Sequence, residues 1–250
     1  MCAVDVLDER LAVVSCHVER PLDDRVWVPF EQVLLTRPGG FVVTPFVRPP
    51  HAASGESESL WLERAETAAA LAPLGHHTHW GGPSQARPDG AMDAAAVVCA
   101  EADWLRRNGV RPRYFCGGGW YFDEPLAEAL ASLGYVDCTA TTFRQRYLPD
   151  DARRLQLPGP RRLRLASGAS LLELPATHSL GMLVRGLAKL PGVVHAHFHD
   201  WELADRRRRV AIGGLLRVLG TLRTPASIVE LAELAAGAPE HAFAGDTIPG

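Results

Sequence analysis

The histidines of this 250-residue chain are unevenly spread, since seven of the ten fall into three short segments. Those seven are His17, His76, His77, His79, His195, His197 and His199. Two histidines separated by one residue on an extended strand point to the same side, and imidazole is the commonest ligand for zinc-like ions. His77 and His79 have this spacing, and Glu19 offers an oxygen ligand. Such a set leaves positions open for water and substrate, which predicts hydrolytic metal chemistry.

Two further histidines could move protons beside this metal set. His17 lies two residues before Glu19, so both side chains share one side if the strand continues, and either could ligate while the other handles protons. His199 follows the last predicted strand. Each histidine taken alone is more typical of a helix cap or a loop hydrogen bond, and it is their clustering that favours a site.

Aromatic residues and glycines adjoin the polar clusters. Aromatic faces suit sugar rings, and glycine amides could approach an oxyanion or a hydroxyl, although glycine runs are also plain turns. The residues predicted to contact substrate are Trp80, Gly118, Gly119, Trp120, Tyr121, His178, His197 and Trp201. We expect the four aromatic residues among them to rim an open cleft. Cys116 has no activating neighbour in the sequence and is predicted to be a buried spectator thiol.

Alternating strand and helix patterns must position these residues. Apolar runs predict strands over 11–16, 41–47, 112–115, 135–139, 171–174 and 193–198. Amphipathic patterns predict helices after Asp23 or Asp24, from Ser57 or Ser59 to 71, over 92–108, 123–133 and 201–219, and after Ser227. About six or seven such units predict a mostly parallel β/α barrel-like fold. No repeat or Gly/Ser linker divides the chain, so residues 1–250 are expected to form one domain with its core at about 11–236.

Composition limits the partners of the chain. The net charge of −3 gives no broad basic field, which argues against nucleic acid or an anionic membrane and favours a small-molecule substrate. The five cysteines are scattered without a C-x-x-C pair, and the N-terminus is acidic, so we expect a cytoplasmic protein with reduced thiols. A homo-oligomer is compatible with the sequence, which does not specify the oligomeric state.

In chain order, the clusters resemble the NodB-homology polysaccharide deacetylases (carbohydrate esterase family 4), over about residues 11–236. His17-Val18-Glu19 lies where that family carries Asp-x-Asp or Asp-x-Glu, and His77-Thr78-His79-Trp80 is similar to its histidine metal motif. The segments 115–120 and 130–135 are similar to its Phe-Arg-x-Gly-x-Trp and Leu-Gly-Tyr segments. His199-Asp200-Trp201-Glu202 is similar to its late His-Pro-Trp-Glu motif.

The resemblance implies a distorted (β/α)7 barrel, a divalent metal with Zn²⁺ as the first expectation, and removal of an acetyl group from an N-acetylated amino sugar or related small amide by metal-activated water. It implies His17 as general base, His199 as general acid, and Glu19, His77 and His79 as metal ligands. A histidine base could accept a proton near neutral pH because its unperturbed pKa is about 6.5.

Three features depart from the family pattern. His17 replaces the aspartate base, the metal histidines are two rather than four residues apart, and Cys116 replaces an arginine. Two alternatives therefore stay open: a hydrolase of another C–N bond, such as a cyclic amide or formamide, and a metal-free sugar-binding protein.

Overall fold

The computed structural model describes residues 10–243. Predictions that fall on Cys2, on the N-terminal acidic residues and on the end of the C-terminal tail lie outside the described residues. The strands within this range are β1 Leu11–Val18, β2 Thr44–Val47, β3 Gly75–Thr78, β4 Tyr114–Gly117, β5 Val136–Asp137, β6 Arg161–Arg164, β7 Ser170–Glu173, β8 His178–Ser179, β9 Val194–His199, β10 Thr224–Pro225 and β11 Glu240–Ala242. The α-helices are α1 Asp24–Thr36, α2 Glu58–Leu71, α3 Ala94–Arg107, α4 Glu124–Leu133, α5 Leu180–Gly186, α6 Arg206–Leu222 and α7 Ile228–Leu234.

Side-chain caps begin the helices close to the predicted positions. Asp23, Ser57 and Asp123 each accept a hydrogen bond from a backbone N–H in the first turn of the helix that follows. This satisfies a donor that the helix leaves unpaired. Ser227 and Glu230 form the predicted capping box at the start of α7. The helix starts could be predicted because capping depends on residues within one turn of the chain.

The eleven strands of residues 10–243 belong to one sheet. Its central order is β7-β5-β4-β3-β2-β1-β9-β8, in which all neighbours are parallel. β6 and β11 extend it beyond β7, and β10 pairs with β1. The predicted mostly parallel α/β architecture is therefore confirmed.

The strand ladder of the described residues does not close into a complete barrel. Instead, the segment between β7 and β8 makes backbone hydrogen bonds to the residues after β5 on one side and to β9 on the other. Ala176 N–H donates to Ala140 O at 2.8 Å, and Thr177 N–H donates to His195 O at 2.8 Å. The barrel is thus distorted at this seam.

Alternation along β1 separates an outer layer from the interior. Ala12, Val14 and Cys16 pack into a core with residues of α1, α2 and α6. Leu11 and Val13 belong to an inner cluster with Phe46 and Cys116. Since side chains alternate along a strand, His17 and Glu19 continue the inner row.

Some predicted elements are wrong in detail. The helix predicted over 201–219 is a 3₁₀ turn, Asp200–Ala204, followed by α6, because Asp205 caps a new helix start. The strand predicted over 171–174 is β7, but its antiparallel partner β6 and the elements α5, β8, β10 and β11 were not predicted. The histidine segment proves to be strand β3 itself. Arg206, Arg207 and Arg208 are exposed, as a solvated helix face requires. No helix within 10–243 combines the length and apolarity needed to span a bilayer.

Candidate metal centre

The carboxyl ends of β1, β3 and β9 bring the predicted site residues together. β1 lies between β2 and β9, and the register pairs His17 with His199. β3 lies on the far side of β2 and ends in His77-Thr78, followed by His79. Because all of these strands are parallel, their last inward side chains meet at one edge of the sheet.

Glu19, His77 and His79 form a set of three potential metal ligands whose donor atoms all lie within 4.8 Å of one another. Glu19 Oε1 is 3.5 Å from His79 Nε2 and 4.0 Å from His77 Nε2. Ligand atoms around a tetrahedral zinc ion are about 3.3–3.6 Å apart, given bond lengths of ~2.0–2.2 Å. The structure therefore brings the predicted ligands to separations that suit a divalent ion.

Backbone carbonyls fix the orientation of both imidazoles. His77 Nδ1 lies 2.7 Å from Cys116 O, and His79 Nδ1 lies 3.1 Å from Pro83 O. A carbonyl only accepts hydrogen bonds, so each Nδ1 carries the proton and each Nε2 keeps its lone pair. Both Nε2 atoms are buried without a hydrogen-bond partner. This is the arrangement by which proteins orient metal-ligating histidines, and the donor set fits a zinc-like ion.

The protonation states also suit a cation. Burial, followed by the charge of His79, lowers the pKa of His77 to about 3, so its imidazole is neutral. Burial alone would raise the pKa of Glu19, but the adjacent imidazoles of His79 and His199 outweigh it and lower that pKa to about 2. An ionised carboxylate at Glu19 beside a neutral imidazole at His77 is the ligand state that metal binding requires.

His199 lies at the open side of the ligand set. Its Nε2 is 3.7 Å from Glu19 Oε1, and its Nδ1 is 3.8 Å from Glu202 Oε2. Burial would lower the pKa of His199, but the nearby carboxylates of Glu202 and Glu19 outweigh it and raise that pKa above its ordinary value. The imidazole of His199 also stacks on Trp201, with ring centroids 5.3 Å apart.

His17 is enclosed by aromatic rings and is only 5% exposed. It stacks on His77 at 4.8 Å and on His197 at 5.4 Å between centroids. Burial, followed by the charge of His77, lowers the pKa of His17 well below its ordinary value. The expectation of a near-unperturbed pKa is therefore wrong, because the sequence does not show that this side chain is desolvated.

Cys116 contacts the histidine cluster, which the sequence did not predict. Its Sγ lies 3.4 Å from His17 Nε2, and Sγ also lies 3.7 Å from Cys138 O. Burial raises the pKa of the Cys116 thiol well above its ordinary value, which agrees with the predicted buried thiol. The contact with His17 was missed, and the signal that could have found it is that both residues occupy positions where the chain departs from the family pattern.

The predicted aromatic rim is wrong for three of its four members. Trp80 and Tyr121 pack in a core cluster beneath α3 and α4, and the Trp80 indole donates to Ala94 O at 3.3 Å. Trp120 is also buried and lies over His197 at 4.8 Å between ring centroids. Trp201 is 36% exposed and remains a candidate wall of the cleft. These tryptophans are alike in sequence, and only packing separates core from surface.

Trp120 has φ +59°, which is uncommon for a bulky residue and marks strain of ~1–3 kcal/mol. The preceding glycines allow the tight turn. A Cβ on Gly118 would lie 2.5 Å from Thr78 O, and Gly119 has φ +56° with Arg87 against it. Both glycines therefore serve close packing behind His79, where a side chain has no room.

The remaining histidines have distinct settings. His197 is buried between His17 and Phe143, and its Nδ1 has no hydrogen-bond partner. His195 Nε2 lies 3.0 Å from Ser15 Oγ, which makes it a satisfied core residue. His76 faces the opposite side of β3, where its Nε2 is 2.9 Å from Glu101 Oε2. His178 is half-buried on β8 and bonds to Thr177 Oγ1 at 2.8 Å.

No protein-family model matches the chain, and no curated protein matches it by sequence. Solved structures do match. A Mycobacterium smegmatis protein assigned as a polysaccharide deacetylase is 15% identical, with a TM-score of 0.68 over 100% of this chain and 97% of that one. The 4-alpha-glucanotransferase of Thermococcus litoralis is 13% identical, with a TM-score of 0.59 over 94% of this chain. This chain spans 42% of the length of that transferase.

A third similar structure is a family 4 carbohydrate esterase from Streptomyces lividans in complex with acetate. It is 13% identical over 87% of this chain and 92% of that one, with a TM-score of 0.49. The Mycobacterium smegmatis structure, which matches over the whole chain, confirms the polysaccharide-deacetylase type of fold.

Proposed function

We propose that this protein is a metal-dependent amide hydrolase that removes an acetyl group from an N-acetylated amino sugar or a related small amide. One observation carries the proposal: the unpartnered, buried Nε2 atoms of His77 and His79 face the carboxylate of Glu19. Uncompensated buried nitrogens are costly, so their retention beside an anion is best explained by a cation that completes the group.

Glu19, His77 and His79 would hold the ion, with Zn²⁺ the expected identity because nitrogen and oxygen donors in a three-ligand set suit it. When bound there, a divalent ion supplies Lewis acidity toward a carbonyl oxygen and acidifies water. The chain's own contribution is the orientation of the ligands through Cys116 O and Pro83 O.

His17 and His199 divide the proton transfers between them. His17 is held neutral by burial and therefore serves as the proton acceptor, at Nδ1, because Nε2 faces the sulfur of Cys116. Glu202 and Glu19 favour the protonated form of His199, which donates its proton from Nε2 to the leaving amine. This agrees with the roles that the family resemblance implies.

The substrate is proposed to be neutral and sugar-sized. Trp201 is the exposed aromatic residue next to His199 and offers a face on which a sugar ring can stack. A cytoplasmic location and a homo-oligomeric state stay predictions from the sequence, as does the single domain.

Metal analysis tests the ligand set. Protein purified without chelator and reconstituted with Zn²⁺ is expected to retain close to one equivalent of metal by elemental analysis. His77→Ala should lose most of it, while His51→Ala, which alters a histidine outside the cluster, should not. If the wild type and His77→Ala both retain less than about a tenth of an equivalent of metal, the result would contradict a metal site.

A hydrolysis screen tests the reaction. N-acetylated monosaccharides, cyclic amides and N-formyl compounds are incubated with the metal-loaded protein, and released amine is measured. We expect turnover of an acetamide, and His17→Ala and His199→Ala should each reduce it by ~10²–10⁴-fold while keeping their metal. Turnover of only cyclic amides or formamides would favour the other C–N hydrolase, and no turnover would favour a binding protein.

A further inference from the structure

A second donor set lies immediately inside the proposed hydrolytic centre. His17, His77 and Cys116 are all buried, and one donor atom of each lies within 4.8 Å of the other two. Cys116 comes from β4, His77 from β3 and His17 from β1, so the set depends on three strands. It differs chemically from the set around Glu19 because it contains sulfur and lacks a carboxylate.

The separation between sulfur and imidazole nitrogen in this set matches metal coordination. Cys116 Sγ and His17 Nε2 are 3.4 Å apart. With metal–sulfur and metal–nitrogen bonds of about 2.3 and 2.0–2.1 Å, the two ligand atoms of a tetrahedral site are about 3.5 Å apart. An ion could therefore bridge sulfur and imidazole with little movement of either strand.

A second observation points to a ligand. His77 Nε2 is buried and has no hydrogen-bond partner, and His77 contacts His17 through a stacked ring pair. The lone pair of His77 Nε2 is thus free to bind a cation. Thiolate with imidazole is the donor combination that soft and borderline ions prefer, whereas carboxylate favours harder ones.

We propose that His17, His77 and Cys116 form a second, thiolate-containing cation site that takes thiophilic divalent ions such as Cd²⁺. On binding, the Cys116 S–H bond breaks, the S–metal bond forms, and the proton leaves to solvent. Because His77 belongs to both donor sets, an ion here excludes one at Glu19, His77 and His79. It also takes His17 away from proton transfer, so a thiophilic ion inhibits the proposed hydrolase.

The test uses the full chain, CdCl₂ and ultraviolet difference spectroscopy. We expect a thiolate-to-cadmium charge-transfer band that saturates near one equivalent in the wild type and is absent in Cys116→Ser. Cys138→Ser and Cys99→Ser are matched controls that alter a neighbouring buried cysteine and a more accessible one, and both should keep the band. His79→Ala should keep it too, because His79 belongs only to the outer set.

Absence of the band in the wild type, or its survival in Cys116→Ser, would overturn the proposal. If Cys116→Ser fails to fold by circular dichroism, cadmium X-ray absorption of the wild type decides, since a shell without sulfur contradicts the site. The spectroscopy does not depend on turnover. A chain with the band but no hydrolysis would overturn the proposed function alone, and a hydrolase without the band would overturn this inference alone.

Discussion

His17 and His199 carry the same side chain and pair in register, but their surroundings drive their pKa values in opposite directions. Burial keeps His17 neutral, whereas Glu202 and Glu19 favour the protonated form of His199. Separated pKa values of two neighbouring groups are the usual basis of an acid and base assignment. The difference arises from exposure and partners, and not from residue type.

The variant Glu202→Gln tests the role of His199 in acid catalysis. Removing the carboxylate removes an interaction that favours protonated His199, so its pKa should fall and the alkaline limb of kcat should move to lower pH by roughly one unit. Glutamine can keep the hydrogen bond to the His199 backbone, which preserves the turn. Glu63→Gln, an exposed change on α2, should leave the pH profile in place. An alkaline limb that stays fixed in Glu202→Gln would exclude His199 as the acid.

The variant Trp201→Ala tests the cleft wall. Stacking binds ground state and transition state alike, so the variant should raise KM several-fold with little change in kcat. Trp120→Ala should instead lower protein stability, because its side chain is buried against the histidine cluster. Steady-state kinetics on the substrate found in the screen gives the answer. A kcat that collapses in Trp201→Ala would assign Trp201 to the chemistry.

At the scale of elements, two of the three glycines in α6 have opposite surroundings. A Cβ on Gly220 would collide with the backbone of Gly39, whereas a Cβ on Gly214 would meet nothing within 4 Å. We expect Gly220→Ala to lower the free energy of unfolding by ~1–3 kcal/mol through overpacking. Gly214→Ala should raise it by ~0.5–1 kcal/mol through helix propensity. Urea denaturation of both variants measures the difference, and equal effects would contradict the close contact of α6 with the segment Pro38–Gly40.

At the scale of the whole molecule, one buried pair of carboxyl groups makes the stability of the protein depend on pH. Asp137 on β5 and Glu173 on β7 are register neighbours and fully buried. Burial, followed by the charge of Asp137, raises the pKa of Glu173 well above its ordinary value, and burial raises that of Asp137. The folded state therefore holds protons that the unfolded chain releases above its ordinary carboxyl pKa. This contribution to stability is complete at low pH and is lost as pH rises through the raised folded pKa.

The variant Glu173→Gln removes this titration. Glutamine is neutral at every pH. The free energy of unfolding of the variant should therefore exceed that of the wild type at pH 8, by on the order of 1–3 kcal/mol, and differ little from it at pH 4. In a domain of this size, each kcal/mol corresponds to about 2–4 °C in Tm. Thermal unfolding across that pH range measures it, with the exposed change Glu66→Gln as control. Parallel pH curves for Glu173→Gln and wild type would contradict the buried pair as the cause.

The fold itself does not select the reaction. Structures named for a polysaccharide deacetylase and for a glucanotransferase both match this chain. A shared scaffold hosts different chemistries through the residues at its strand ends. The proposed function therefore rests on Glu19, His77 and His79, and not on the architecture.

The sequence alone was sufficient for features that depend on nearby residues. Asp23, Ser57 and Asp123 predicted helix starts because a cap acts within one turn, and the H-x-H spacing of His77 and His79 placed both on one face because strands have a period of two. The mostly parallel α/β class followed from the alternation of such elements.

Tertiary structure decided what depends on distant residues. His17 and Cys116 are 99 positions apart, and only strand register brings their side chains together. Trp80 and Trp201 look equivalent in sequence, but packing beneath α3 and α4 buries one and leaves the other exposed. The lowered pKa of His17 and the raised pKa of His199 likewise result from desolvation and charge partners that no local pattern encodes.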